Sequence, residues 1–121
     1  MDAAVKDALT KSGVIDITTT GRKTGDARRI EIMFHAIDGK VYISGYPRPQ
    51  KRRWLMNLEA NPGFTFHLKD AVKADLPATA RSINEPTERR KVLTEVSKAW
   101  GRDDIDTMVE QSPLVEVTFD A

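Results

Sequence analysis

The stretch that decides the fold runs from residue 14 to residue 37 and reads VIDITTTGRKTGDARRIEIMFHAI. Its first seven residues are rich in β-branched side chains, which predicts a strand over 14–20. Residues 29–37 alternate apolar with mostly polar side chains, the period of two that is typical of a half-buried strand. Because only a short turn separates the two strands, we expect them to pair as an antiparallel hairpin.

The turn between these strands combines glycine with positive charge. Gly21 and Gly25 reach positive φ at little cost, so the turn that carries them could face its backbone N–H groups toward a ligand. The turn and the start of the next strand carry four cations, Arg22, Lys23, Arg28 and Arg29. Such charges and forked donors predict a site for a phosphorylated or polyacidic cofactor. Exposed turn charge without a ligand is the alternative interpretation.

The rest of the chain supplies short elements joined mainly by turns. Helices are predicted over 2–11, 51–60, 85–100 and 105–111, and further strands over 40–44, 64–68, 72–83 and 114–119. Asn84 is the expected N-cap of the third helix, and Pro77 should mark an edge or a bulge. Short connections require a mainly antiparallel sheet, so the predicted fold class is α+β. About six strands would form a small closed or split β-barrel with peripheral helices.

Composition narrows the classes of protein that the chain can belong to. Its 121 residues suffice for a single domain over 1–121. The absence of cysteine excludes disulfides and thiolate chemistry, and two histidines leave little for a metal site, so no metal is expected. No apolar run is long enough to span a bilayer, and charges within residues 1–12 argue against a signal peptide, so a cytoplasmic protein is expected.

A second motif completes a resemblance to a known family. TTTGRKTG at 18–25, Asp38-Gly39, and W-x-x-N-L-x-A-N-P at 54–62 together resemble the deazaflavin-dependent nitroreductase family, over about residues 13–119. Proteins of that family adopt the split β-barrel of the FMN-binding, flavin-reductase type. Many bind reduced coenzyme F(420), whose deazaflavin ring donates a hydride. The resemblance implies an oxidoreductase that reduces a small electron-poor acceptor, such as a quinone, an enone or a nitro compound.

The resemblance also implies where the coenzyme lies. Its phosphate and acidic tail would contact Arg22, Lys23, Thr24, Gly25 and Arg28. Its ring would lie near Ser44, Gly45 and Tyr46, with Trp54 and Asn57 on the adjacent helix. Tyr46 and Ser44, with His35 as a further candidate, could donate a proton after hydride transfer, although solvent could serve equally. Packing is the competing role for Tyr46 and Trp54, and His35 is expected to be solvated or at an interface.

The chain also departs from the family pattern. Residues 47–53, PRPQKRR, form a short, stiff and basic loop, and Trp100 is the only aromatic residue between Phe66 and Phe119. Family members use tyrosines in that C-terminal region against their substrate, so nitroimidazole reduction is not carried over to this chain. By analogy with barrels of this type, a homodimer is expected.

Three other interpretations compete with a deazaflavin reductase. One is a non-catalytic module that holds a lipid, a fatty acid or a tetrapyrrole in the same groove. Another is an FMN-binding flavin reductase relative, although four cations favour a longer acidic tail than the single phosphate of FMN. The third, nucleic-acid binding at residues 52–54, is disfavoured because the net charge is only +1.

Overall fold

The computed structural model describes residues 1–120, and its ten elements follow the predicted order. They are α1 (Ala3–Ala8), β1 (Gly13–Thr20), β2 (Ala27–Ile37), β3 (Lys40–Ser44), α2 (Arg53–Ala60), β4 (Gly63–Lys69), β5 (Lys73–Ser82), α3 (Pro86–Trp100), α4 (Ile105–Gln111) and β6 (Leu114–Phe119). The largest difference from the predicted bounds is at α1, which ends with Leu9 as its C-cap rather than continuing to residue 11.

The six strands close into one barrel in the order β1-β2-β3-β6-β5-β4, and β4 pairs back with β1. All six neighbouring pairs are antiparallel. The predicted α+β barrel with peripheral helices is therefore confirmed. Pro77 pairs with Thr65 of β4, while the ladder between β5 and β6 begins only at Ala78. The proline thus lies where no residue of β6 pairs with β5, as expected for a residue without an N–H group.

Two apolar clusters hold the fold together. One fills the barrel interior, where its fully buried members include Ile15, Ile17, Phe34, Ile43, Phe66 and Val115. The other joins α3 and α4 to the outside of the barrel and contains Tyr42, Ile83, Val92, Leu93, Val96, Met108 and Leu114. The helices are therefore fixed against β3 and β6, where they form one side of the second cavity described below.

The cap of α3 differs from the prediction, which placed Asn84 at this position. Glu85 is the N-cap, and its carboxylate accepts hydrogen bonds from the N–H groups of Thr87 at 3.0 Å and Glu88 at 2.7 Å. These bonds lower the pKa of Glu85. Pro86 follows at the first helical position, where no N–H is needed.

His35 is buried rather than solvated, which corrects the expectation from the alternating pattern of β2. Its side chain is on the outer face of the barrel, but Trp100 at the end of α3 covers it, with the ring centroids 5.1 Å apart. His35 is only 3% exposed, and burial lowers its pKa. The strand pattern could not show this, because the covering residue is 65 positions away in the chain.

Candidate active site

A basic groove of about 810 Å³ lies between the β1–β2 hairpin and the start of α2. The hairpin contributes Arg22, Lys23, Thr24 and Arg28, and α2 contributes Trp54 and Asn57. Six of the predicted site residues therefore line one cavity. Trp54 is only 9% exposed and belongs to the barrel core, so its packing role and its place in the groove wall coexist.

The glycines of the hairpin turn shape the backbone and do not present their N–H groups to the groove. Gly21 donates to the carbonyl of Asp26 at 2.8 Å, and Gly25 donates to the carbonyl of Gly21 at 2.9 Å. Gly25 has a φ of 76°, which only glycine adopts easily, and it is not among the groove-lining residues. These two N–H groups are therefore used within the turn, and the expectation that other backbone N–H groups of the turn face a ligand stays a prediction.

Asn57 connects the hairpin to α2. Its Oδ1 accepts a hydrogen bond from the Arg22 backbone N–H at 3.1 Å, and its Nδ2 donates to Thr19 Oγ1 at 3.2 Å. Both Asn57 and Thr19 are buried, at 8% and 2% exposed. The amide therefore fixes the position of the basic turn relative to the helix, a role that the sequence motif alone did not specify.

Positive charge dominates the groove. Seven cations line it, namely Arg22, Lys23, Arg28, Arg48, Lys51, Arg52 and Arg53, and none of its described lining residues is acidic. Lys51 Nζ lies 2.5 Å from Glu59 Oε1, and Arg28 lies 3.9 Å from Asp26. Within residues 1–120 the other five cations form no ion pair. Such an excess of charge, in a cleft with an apolar wall, favours a polyanionic ligand.

Arg52 lies in the wall between the basic groove and a second cavity, which is described in the next paragraph. Its Nη2 donates to the carbonyl of Tyr46, whereas its Nη1 is buried and has no hydrogen-bond partner in the described part of the chain. Burial, with Arg48 nearby as a smaller cause, lowers the pKa of Arg52. The guanidinium is therefore a partly desolvated cation with an unused donor.

A second cavity of about 740 Å³ lies on the other side of this wall, between the 48–52 segment and the ends of α3 and α4. Arg48, Lys51 and Arg52 line both cavities. The second cavity also contains the acidic residues Asp106 and Glu110, so its charge is mixed.

Ser44, Gly45 and Tyr46 were predicted to contact the deazaflavin ring. Unlike the hairpin residues, they do not line the basic groove. Ser44 is 2% exposed, and its hydroxyl donates to the Pro113 carbonyl at 2.7 Å. A Cβ on Gly45 would lie 3.1 Å from Pro113 Cγ and 3.3 Å from Arg52 Nη2. Ser44, Gly45 and Tyr46 line neither cavity with their side chains, but they support the wall between the two.

Tyr46 is the exposed member of this group, at 58%. Its ring centroid is 4.8 Å from that of Trp100, and the Arg102 guanidinium lies over the Tyr46 ring, 5.1 Å from its centroid. Contact with Trp100 gives Tyr46 the packing role that was considered from the sequence. Its predicted role as a proton donor stays a prediction.

The sequence interpretation gave no place in the cofactor site to Lys51, Arg52 and Arg53. These three residues line the second half of the groove beside Arg48. The available signal was the density of cations over 48–53, which matches that of the hairpin. Residues 1–120 contain no cluster of three or more histidine, aspartate and glutamate side chains that could hold a metal ion. No helix among them has the length and apolar character needed to cross a membrane.

Comparison with known proteins gives one family match. A family model described as F(420)H(2)-dependent quinone reductase matches residues 1–118. No curated protein sequence matches the chain.

Several solved structures share the fold. An F(420)-H(2)-dependent reductase, FDR-A, is 25% identical with a TM-score of 0.66, over 87% of this chain and 93% of that one. A structure described as a domain-swapped dimer is 25% identical with a TM-score of 0.65, over 87% of this chain and 79% of that one. A conserved hypothetical protein of Mycobacterium tuberculosis is 21% identical with a TM-score of 0.74, over 100% of this chain and 82% of that one.

Proposed function

Because the chain belongs to the F(420)H(2)-dependent quinone reductase family, we propose that its basic groove binds the anionic part of coenzyme F(420) and that its acceptor is a small quinone. The protein is a deazaflavin-dependent reductase, and its cofactor is coenzyme F(420). Enones and nitro compounds are the other acceptor classes expected from the sequence. The family decides between an enzyme and a non-catalytic carrier of lipid or tetrapyrrole, in favour of the enzyme.

The observation that supports this placement is the charge of the groove. Coenzyme F(420) carries a phosphate and a chain of carboxylates, and five of the seven lining cations form no ion pair within residues 1–120. The first turn of α2 also has no side-chain cap, and a helix N-terminus favours anions. The residues present therefore fit a polyanion better than the single phosphate of FMN.

The chain's own residues bind and orient the coenzyme and supply no nucleophile. When bound, the reduced coenzyme supplies a hydride to the acceptor. Arg22, Lys23 and Arg28 would hold the phosphate and the acidic tail, while Asn57 keeps Arg22 in position. Trp54 forms an apolar wall that excludes water from that side of the groove. Hydride transfer depends on such positioning more than on a protein base.

The proton that completes the reduction is assigned to solvent. Ser44 is buried, and its hydroxyl proton is engaged by the Pro113 carbonyl. His35 is covered by Trp100 and lines neither cavity. Tyr46 is the one predicted donor with an exposed ring, so it stays the candidate among the protein groups.

A homodimer is proposed as the assembly. The likeness to a structure described as a domain-swapped dimer supports it. Sedimentation equilibrium would test it, and a monomer across the accessible concentration range would contradict it.

The function is tested by mixing the protein with reduced coenzyme F(420) and a naphthoquinone, and by following the absorbance of the oxidised deazaflavin. Protein-dependent oxidation is expected, and replacing the naphthoquinone with an enone or a nitroarene measures acceptor preference. Oxidation at the rate of the protein-free mixture, with every acceptor, would contradict the proposal.

A further inference from the structure

We infer that Thr18, His67 and Asp75 form a nucleophile, base and carboxylate relay on the outer face of the barrel, and that Thr18 accepts an acyl group from small activated esters. The three residues lie on β1, β4 and β5, and none of them lines the basic groove or the second cavity. This acyl transfer is separate from the reduction, because it uses no residue that lines the coenzyme groove.

Two hydrogen bonds connect the relay. Thr18 Oγ1 lies 2.7 Å from His67 Nε2, and His67 Nδ1 lies 2.7 Å from Asp75 Oδ1. An ionised carboxylate can only accept a hydrogen bond, so Nδ1 carries the proton of the neutral ring. Nε2 is then the acceptor, and the Thr18 hydroxyl donates to it. A hydroxyl nucleophile needs this contact with its base, and the base needs the second contact with a group that orients it.

The register of the strands holds the relay in place. His67 pairs with Asp75 across β4 and β5, and it pairs with Asp16 across β1 and β4, so Thr18 is its diagonal neighbour. Alternate residues of a strand share a face, and these side chains lie on the outer face of the barrel. His67 is only 6% exposed and has both ring nitrogens bonded, whereas Thr18 is half-buried. The base is therefore preorganised, and the residue that carries the nucleophile reaches the surface.

Two carboxylates beside the ring favour the charged state through which the base passes. Asp16, opposite His67 in the β1–β4 register, accepts hydrogen bonds from Lys69 Nζ at 2.6 Å and from Arg29 Nε at 2.9 Å. These bonds lower the pKa of Asp16, so its carboxyl group is ionised at neutral pH. Asp16 and Asp75 would together stabilise the imidazolium that forms when Nε2 takes the hydroxyl proton.

Arg29 is available to the oxygen of a reacting carbonyl group. It lies directly opposite Thr18 in the β1–β2 register, where facing Cβ atoms are about 5 Å apart. Its Nε is used by Asp16, but its two Nη groups make no hydrogen bond within residues 1–120. A guanidinium in this position can donate to the oxyanion that develops when the Thr18 hydroxyl attacks a carbonyl carbon.

The reaction is an acyl transfer in which nothing is oxidised or reduced. Thr18 Oγ1 forms a bond to the acyl carbon, and the bond from that carbon to the leaving oxygen or sulfur breaks. The hydroxyl proton passes to His67 Nε2 and from there to the leaving group. Because the relay lies on the outer face of a sheet, the protein holds little of the donor. The acyl group is therefore short, and the donor carries a good leaving group, as aryl esters, thioesters and acyl phosphates do.

The test treats the full chain with 4-nitrophenyl acetate and maps the acetyl groups by peptide mass spectrometry. Neutral hydroxylamine then separates the products, since it cleaves esters and leaves lysine amides intact. We expect Thr18 to gain its ester at least about a hundredfold faster than Thr20, the scale of general-base assistance. Thr20 is the internal control, because it shares the outer face of β1 and is exposed where Thr18 is half-buried. Accessibility alone predicts the opposite order.

Three variants assign the roles within the relay. His67→Gln should lower the rate at Thr18 about a hundredfold, to that of Thr20. Asp75→Asn, at the positioning residue, should lower it about tenfold or more. It should also remove the preference for a proton on His67 Nδ1, which long-range proton–nitrogen NMR spectra measure. Thr65→Val is the matched control, because Thr65 pairs with Thr18 but makes no hydrogen bond to the imidazole. It should leave the rate unchanged.

Three results would overturn the inference. Thr18 could react no faster than Thr20, or a folded His67→Gln variant could react like the wild type, and either result would leave the relay as a structural chain of hydrogen bonds. Thr65→Val could also slow the reaction as much as His67→Gln does. If His67→Gln fails to fold, the wild-type comparison of Thr18 with Thr20 decides, together with the rate and the tautomer in Asp75→Asn.

Discussion

The basic groove is lined by exposed cations, whereas the second cavity is lined by residues that include a few buried polar atoms. The two cavities share one wall. Most groove cations extend from exposed positions on the hairpin and the 48–53 segment. In the second cavity, Ser112 and Arg89 are fixed by backbone contacts. Binding by summed charge should tolerate small movements but weaken with salt. Binding by fixed donors should depend on geometry and respond little to salt.

If the groove works by summed charge, removing two hairpin cations should have the largest effect. Arg22→Ala with Lys23→Ala should weaken coenzyme F(420) binding about tenfold or more, since each charge-assisted bond contributes roughly 1–3 kcal/mol. Fluorescence titration at low and high salt would measure this. The double variant should also show a shallower salt dependence than the wild type.

The control for that experiment removes the same charge elsewhere. Lys73 and Lys98 line neither cavity, so Lys73→Ala with Lys98→Ala should leave the affinity within about twofold, because salt screens exposed charges that do not contact the ligand. Equal losses in the two double variants would mean that net charge, not the groove, attracts the coenzyme.

The junction between hairpin and helix should give the next largest effect. Asn57→Ala removes the acceptor of the Arg22 N–H and the donor to Thr19, so the free energy of unfolding should fall by about 1–3 kcal/mol. Urea denaturation measures this loss. Unchanged stability would show that the turn holds its position without the amide.

A smaller effect concerns the contact between β2 and the end of α3, where Trp100 covers His35. Burial lowers the pKa of His35 below the ordinary value of 6.5, so the unfolded chain takes up the proton first as the pH falls. The stability that neutral His35 confers is therefore present above pH 6.5 and is lost as the pH falls through that value toward the folded pKa. Between about pH 7.5 and about pH 5, the wild type should lose more unfolding free energy than His35→Phe does. Parallel pH curves for the two proteins would contradict this.

The smallest effect is expected at an ion pair on the groove rim. Lys51 is bound to Glu59, with side chains 51% and 29% exposed. Glu59→Gln should release Lys51 and tighten coenzyme binding by no more than about 1 kcal/mol, the usual scale of a surface ion pair. Weaker binding in Glu59→Gln would mean that the pair positions Lys51 rather than neutralising it.

The contrast between the two cavities also explains what could be predicted from the sequence. The barrel follows from local signals, because the strand patterns and short turns dictate the antiparallel hairpins. Cation density identified the hairpin side of the groove. Local patterns could not show that Trp100 covers His35, or that the Gly21 and Gly25 N–H groups are used within the turn.

The second cavity was beyond sequence reasoning for a physical reason. It depends on contacts between residues far apart in the chain, such as Ser44 with Pro113 and Arg89 with Ser112. Ser112 itself belongs to no motif, and its hydroxyl is buried without a hydrogen-bond partner among residues 1–120. The glutamate cap at Glu85 is a smaller case, since Asn84 is the better N-cap by residue type.

The most direct test of the central claim is a titration of the Trp100→Phe variant with oxidised coenzyme F(420) and, separately, with FMN. This variant keeps Trp54, in the groove wall, as its only tryptophan. Selective quenching of Trp54 by the deazaflavin, weakened when Arg22 and Lys23 are replaced, is the expected result. Quenching by FMN with equal or higher affinity, or by neither compound, would contradict the assignment of the basic groove to coenzyme F(420).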